Sequence, residues 1–143
     1  MCYDNKFPEH QLALAAQGAE LLCSCQEGDW REAAYTMDIV ARAKAISTGA
    51  YVLSSGRCTP SEQQGHLARE AQTFIISPEG YVLAQAGRDG AGVISRRVEL
   101  GRSMYIGTAA GHQDIWNDMA ADARRPQLYR ALSEDFPSPA GRA

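Results

Sequence analysis

Apolar positions repeat at helical spacing in two segments of the chain, and each segment carries signals for its ends. The first predicted helix begins near Pro8, because proline fits the first helical turn, and it ends at Gly18. The second begins at the capping-box sequence Asp29–Glu32 and ends at about Thr48. Its predicted buried stripe consists of Ala33, Met37, Ile39, Val40, Ala43 and Ile46.

Short apolar runs predict strands over residues 19–25, 50–55, 72–76, 81–84 and 92–100. Between the third and fourth runs, Pro78 and Gly80 are typical of a tight turn, so these two strands are expected to form an antiparallel hairpin. The polar stretch before the third run predicts a loop over residues 56–71. Helices that alternate with strands and are followed by a hairpin predict an α/β fold with a mixed sheet.

Length and composition are typical of one globular domain. The chain has 143 residues, of which 45% are apolar and 22% are charged. We assign a single domain to residues 1–136 and a disordered tail to residues 137–143, where proline and glycine accumulate. No linker that would divide the domain in two is visible in the sequence.

Charge and hydropathy exclude two classes of partner. The net charge is -3, so the sequence offers no electrostatic case for nucleic acid as the main partner. No apolar run approaches the roughly 18–20 residues of a membrane helix, and the first residues lack the pattern of a secretory signal. We therefore expect no nucleic-acid partner, no membrane partner and a cytoplasmic location.

The cysteines favour free thiols over a metal site or a disulfide framework. Zinc sites use C-x2-C pairs or paired histidines, whereas this chain has a C-x-C spacing and dispersed histidines, so neither a metal nor a cofactor is expected. Cys23 and Cys25 alternate onto one strand face, where core packing or active-site lining is favoured over redox pairing. The four cysteines are Cys2, Cys23, Cys25 and Cys58.

Cys2 lies shortly before the first predicted helix, where amide donors and the helix dipole can stabilise a thiolate. In an α/β protein a nucleophile at such a place usually follows a strand, on a sharp turn above the sheet. The sequence before Cys2 is a single residue, Met1. We interpret Met1 as an internal methionine of a longer parent, and the chain as beginning within a strand–nucleophile–helix unit.

The sequence from Cys2 onward resembles the nucleophile motif of the carbon–nitrogen hydrolase (nitrilase) superfamily. Residues 2–9 read C-Y-D-N-K-F-P-E, and the G-A-E at residues 18–20 resembles the beginning of the family's next strand. Further segments resemble family motifs in the right order, at residues 41–46, 73–84 and 124–129. The nucleophile motif and the hairpin together make the resemblance specific, and it covers about residues 1–130.

The resemblance implies the C-terminal half of a four-layer α-β-β-α sandwich, with a mixed sheet and helices on one face. It also implies hydrolysis of a non-peptide C–N bond by a Glu–Lys–Cys triad. Cys2 would be the nucleophile that forms a thioester, and the backbone N–H of Tyr3 would contribute to the oxyanion site.

In the family, the Glu and the Lys of the triad lie upstream of the cysteine. Glu9 and Lys6 follow Cys2 and are therefore not assigned to the triad, and Lys44 is expected to be exposed in the middle of its helix. The chain is accordingly expected to be inactive alone. The alternative interpretation is a non-catalytic half-domain that acts as an interaction module or is a truncated remnant.

The motif also narrows the substrate. Cys-Tyr-Asp resembles the amidase and carbamoylase branches, whereas the nitrile-cleaving branch has Cys-Trp-Glu, so we expect a small-molecule linear amide or N-carbamoyl substrate. Trp30 and Cys25 are predicted to line the substrate pocket, with ordinary packing as the alternative for Trp30. Family members pair through outer helices and C-terminal tails, which implies a homo-oligomer of the full-length parent.

Overall fold

A computed structural model describes residues 4–5, 7–26, 34–56, 73–86, 92–101, 105–108, 111–114 and 126–133. The predicted capping box and the predicted polar loop lie outside these residues, apart from Gly56. The elements in chain order are α1 (Pro8–Ala16), β1 (Leu21–Gln26), α2 (Ala34–Thr48), β2 (Tyr51–Gly56), β3 (Phe74–Ile76), β4 (Val82–Gln85), β5 (Tyr105–Thr108), β6 (Gly111–Asp114) and a final 3₁₀ helix (Pro126–Ser133).

The glycines that follow the first two helices explain where these helices end. Gly18 has a φ of +93° and Gly49 a φ of +65°, a left-handed conformation that glycine adopts without steric cost. The N–H of Gly18 donates to the carbonyl of Ala15 at 2.8 Å, which satisfies a carbonyl group at the end of α1. Both ends lie where the sequence predicts them.

Strands β1 to β4 form one mixed sheet in the order β1-β2-β3-β4. β1 and β2 are parallel and are connected by α2, whereas β2–β3 and β3–β4 are antiparallel. The predicted hairpin is therefore confirmed, with Gly80 in its turn at a φ of +87°. An α/β fold with a mixed sheet is confirmed as well.

The core lies between α2 and one face of this sheet. Leu22, Val52 and Ile76 stand opposite one another on β1, β2 and β3, so their side chains form a continuous apolar row. Ala41 and Ala45 of α2 pack against this row.

The predicted buried stripe of α2 is wrong at three of its six positions; of the other three, Val40 is half-buried, and Ala33 and Met37 lie outside the residues whose side chains are described. Ile39, Ala43 and Ile46 are exposed, and the helix buries a different set of positions at helical spacing. These buried residues are Ala41, Lys44, Ala45 and Thr48. The sequence pattern favoured the largest apolar side chains, whereas the sheet accepts the small ones.

The strand predicted over residues 92–100 is also absent from the structure. These residues have no regular secondary structure, and Val93 is 97% exposed. A strand needs a neighbour for its backbone hydrogen bonds, and none of the described strands pairs with this segment. Instead, the antiparallel β5–β6 hairpin, which the sequence did not predict, follows further along the chain. Within the described ranges, no helix combines the length and the apolar composition needed to cross a membrane.

Candidate functional site

Three of the four predicted site residues, Cys2, Tyr3 and Trp30, lie outside the described residues. Cys25 lies on β1 and is an exposed, free thiol. Its neighbours Leu21 and Cys23 point the same way, because side chains alternate along a strand and Leu22 faces the core. The role of Cys25 as a pocket residue stays a prediction.

A short turn lies between Cys2 and the first helix. Asp4 and Asn5 form one 3₁₀ turn, and the N–H of Phe7 donates to the carbonyl of Asp4 at 3.1 Å. The helix α1 then begins at Pro8, with Phe7 as its N-cap and no side-chain cap. The electrostatic effect of a helix terminus falls off within about one turn. Asp4 and Asn5, the described residues that follow Cys2 most closely in the sequence, belong to this turn and not to α1.

Three polar side chains connect this turn to α2 and to β1. Lys44 Nζ donates to Asn5 Oδ1 at 2.9 Å, and Asn5 Nδ2 donates to Ser24 Oγ at 2.6 Å. We call these three residues the Lys44–Asn5–Ser24 chain. It joins residues 39 and 19 positions apart in the sequence, so it exists only in the folded protein.

Lys44 is buried, which contradicts the prediction that it is exposed. It is 9% exposed, and burial lowers the pKa of its amine from 10.5 to about 8. Thr48, one turn further along α2, donates its hydroxyl to the Lys44 carbonyl at 2.7 Å. A lysine at helical spacing from Ala41, Ala45 and Thr48 is the sequence signal that would have identified it.

A cavity of about 210 Å³ lies beside the Lys44–Asn5–Ser24 chain. Asp4, His10 and Gln11 line it together with parts of β1. The buried Gln11 Nε2 has no hydrogen-bond partner among the described residues. The cavity thus presents amine, amide and imidazole groups to a space large enough for several water molecules or a short chain segment. Among the described residues, no cluster of His, Cys, Asp and Glu is arranged to hold a metal ion.

The burial of Lys44 makes the stability of the fold depend on pH. In the unfolded chain this amine keeps its proton up to a pKa of 10.5, whereas in the folded chain it loses the proton at about pH 8. Between these values the unfolded state binds more protons, so the free energy of unfolding rises with pH. We expect a rise of roughly 1–2 kcal/mol between about pH 8 and pH 9.5, measured by urea unfolding.

The control for this prediction uses two methionine variants of α2. Lys44→Met removes the titrating amine and is expected to abolish the rise, whereas Arg42→Met removes an exposed cation from the same helix and is expected to retain it. The other titratable groups that line the cavity, Asp4, His10 and Cys23, are present in both variants. A free energy of unfolding that falls over this pH range in the wild-type chain would contradict the prediction.

Comparison with known proteins shows the family to which the chain belongs. The family model for carbon-nitrogen hydrolases matches residues 1–104. Deaminated glutathione amidase of Homo sapiens is 30% identical over 92% of this chain and 37% of its own length. A hydrolase in the pqqF 5' region of Pseudomonas protegens is 32% identical over 94% of this chain and 42% of its own length. The chain therefore spans about two fifths of the length of these curated relatives.

Solved structures agree on the fold. A C145A mutant of Nesterenkonia AN1 amidase, from the nitrilase superfamily, has a TM-score of 0.57 at 20% identity, and the match covers 92% of this chain and 42% of that one. The C. elegans NitFhit protein has a TM-score of 0.51 at 26% identity, with 61% of this chain and 21% of that one covered. The similarity extends over most of the chain in the first case.

Proposed function

Because the chain belongs to the carbon–nitrogen hydrolase family, we propose that it carries the cysteine nucleophile, Cys2, of an enzyme that hydrolyses a linear amide or an N-carbamoyl group. The observation that carries this proposal is the C-Y-D-N-K-F-P-E motif within a chain that is similar to deaminated glutathione amidases. The Cys-Tyr-Asp sequence of this motif argues against a nitrile as substrate, because the nitrile-cleaving branch of the family has Cys-Trp-Glu.

The proposed reaction has two steps. The Cys2 thiolate attacks the carbonyl carbon and forms a C–S bond, and the resulting oxyanion receives a hydrogen bond from the Tyr3 N–H. The oxyanion then collapses, the C–N bond breaks, and the nitrogen takes up a proton and leaves as ammonia or an amine. Water attacks the thioester in the second step, which releases the acid and restores the thiol.

Both steps need a general base and a cation at the oxyanion. The resemblance assigns these roles to a Glu and a Lys upstream of the cysteine, and we infer that this chain reacts slowly without them. A general base contributes about 10²–10⁴ in rate and an oxyanion donor about 10²–10³. Both steps are therefore expected to be slow in the 143-residue chain: an acyl adduct accumulates on Cys2 only over a long incubation, and no catalytic turnover is expected.

The test compares three substrate classes at neutral pH: a short aliphatic amide, an N-carbamoyl amino acid and the nitrile that corresponds to the amide. Intact mass detects the acyl adduct on the chain, and peptide mapping assigns it to a residue. We expect an adduct on Cys2 from the amide or the N-carbamoyl compound, and none from the nitrile. An adduct from the nitrile alone, or no adduct from any of the three, would contradict the proposed substrate class.

One observation favours the alternative of an interaction module. Leu21, Cys23 and Cys25 are all exposed on the face of β1 that points away from the core. Exposed apolar faces of this kind promote association between chains. A self-associating chain with no adduct on Cys2 in the substrate test would support the module, whereas a monomeric chain that acquires the adduct would support the hydrolase.

A further inference from the structure

The Lys44–Asn5–Ser24 chain is the strongest unexplained feature of the described structure. It joins the turn after Cys2 to α2 on one side and to β1 on the other. Asn5 is the central member, and its amide uses both its oxygen and its nitrogen, as acceptor from Lys44 and as donor to Ser24. The amide therefore has one orientation that satisfies both partners.

The ammonium group of Lys44 is costly to bury. Among the described residues the side chain bonded to Lys44 Nζ is the neutral amide of Asn5, and the ion pair on the same helix is Arg42 with Asp38. An ammonium group removed from water without an opposite charge beside it loses hydration free energy that a neutral acceptor replaces only in part. An apolar side chain at position 44 would continue the buried stripe of α2 without this cost. The presence of a buried lysine here despite this cost indicates a role for its hydrogen bond to Asn5.

The turn that Lys44 holds is close to Cys2 in the sequence. Asn5 follows Cys2 by three positions, and three residues of fully extended chain span at most about 10 Å. A fixed position for Asn5 therefore limits where the thiol of residue 2 can lie. Small displacements of a reacting group have large effects on rate, because an attacking atom must meet its target at the right distance and angle.

We propose that Lys44 is a positioning residue which, through Asn5, holds the turn after Cys2 where its thiol reacts. This inference rests on the proposed role of Cys2 as the nucleophile. Lys44 itself is not assigned a contact with substrate. Ser24 completes the arrangement by fixing the other end of the Asn5 amide on β1.

The experiment measures alkylation of Cys2 by iodoacetamide in the full chain, with peptide mass spectrometry to separate the cysteines. Cys25 is exposed and free, and its alkylation in the same sample serves as the internal reference. Lys44→Met and Asn5→Leu are each expected to lower the ratio of the Cys2 rate to the Cys25 rate by about 10- to 100-fold. The double variant is expected to fall no further than either single variant, because both remove the same hydrogen bond.

Two control variants separate positioning from stability. Thr48→Val removes a buried hydrogen bond to the Lys44 carbonyl but leaves the Lys44 side chain and Asn5 in contact, so the rate ratio is expected to stay within about twofold of wild type. Lys44→Arg retains a cationic donor on a side chain of similar length and is expected to recover most of the ratio. Thermal unfolding of each variant establishes how much stability was lost.

Three results would overturn the inference: a ratio in Lys44→Met and Asn5→Leu that equals wild type, a ratio in Thr48→Val that falls as far as theirs, or a wild-type Cys2 that resists alkylation. The readout does not require turnover. A ratio that falls as expected in a chain that forms no acyl adduct would sustain the positioning role of Lys44 and contradict the proposed hydrolase. An acyl adduct on Cys2 with an unchanged ratio would support the proposed hydrolase and contradict the positioning role of Lys44.

Discussion

The Cys2→Ala variant is expected to lose the acyl adduct completely. A methyl side chain has no lone pair that can attack a carbonyl carbon, so the thioester cannot form. Removal of a nucleophile of this kind lowers enzymatic rates by at least about a thousandfold, which is the largest effect expected of any single substitution here. The measurement is the intact mass of the chain after incubation with the amide substrate, together with the ammonia released.

The matched control is Cys23→Ala, which removes an exposed thiol from β1 and leaves the nucleophile motif intact. This variant is expected to acquire the adduct as wild type does. If Cys23→Ala lost the adduct and Cys2→Ala retained it, the assignment of the nucleophile would be wrong. Cys2→Ser adds a graded case, because a hydroxyl group is a much weaker nucleophile than a thiolate at neutral pH.

The Phe74→Ala variant is expected to lose about 3–5 kcal/mol of the free energy of unfolding. Phe74 is 1% exposed on β3 and belongs to the core cluster between α2 and the sheet. The substitution removes the transfer free energy of an aromatic ring and leaves a cavity that a sheet interior cannot easily close. Domains of this size are stable by only about 5–15 kcal/mol, so this loss should move the midpoint of urea unfolding to a much lower urea concentration than in wild type.

An exposed aromatic residue in the same hairpin provides the comparison. Tyr81 is 69% exposed beside the turn between β3 and β4, and Tyr81→Ala is expected to change the free energy of unfolding by less than about 0.5 kcal/mol. Phe74→Leu, which retains most of the buried volume, should fall between the two. Equal losses in Phe74→Ala and Tyr81→Ala would mean that the core does not lie where the structure places it.

The described elements up to β4 were predictable because their signals are local. Pro8 and Gly18 bound α1, and the turn with Pro78 and Gly80 joins two short apolar runs, so each element is specified within about ten residues of sequence. The predicted strand over residues 92–100 failed for the opposite reason. The short apolar run there satisfies the pattern of a strand, but pairing depends on a neighbour that a local pattern cannot supply.

The candidate site shows the same difference between local sequence signals and contacts of distant residues. The motif at residues 2–9 identified Cys2 as the candidate nucleophile, because the residue types and their order are themselves the signal. No local pattern singles out Asn5 or Ser24, and Lys44 is predicted to be exposed, because the three residues lie far apart along the chain and meet only in the folded protein. The contact that brings them together is absent from any short window of sequence.

By itself, the sequence determined the helix ends, the turn of the hairpin, the mixed α/β fold and the family motif around Cys2. All of these depend on backbone conformation and side-chain chemistry within a few neighbouring residues. Only the tertiary structure decided which face of α2 is buried. The sheet admits the small side chains of Ala41 and Ala45, and the same face carries Lys44 into the interior. Whether a residue is buried depends on what packs against it, and the partner of Lys44, Asn5, lies 39 positions away in the sequence.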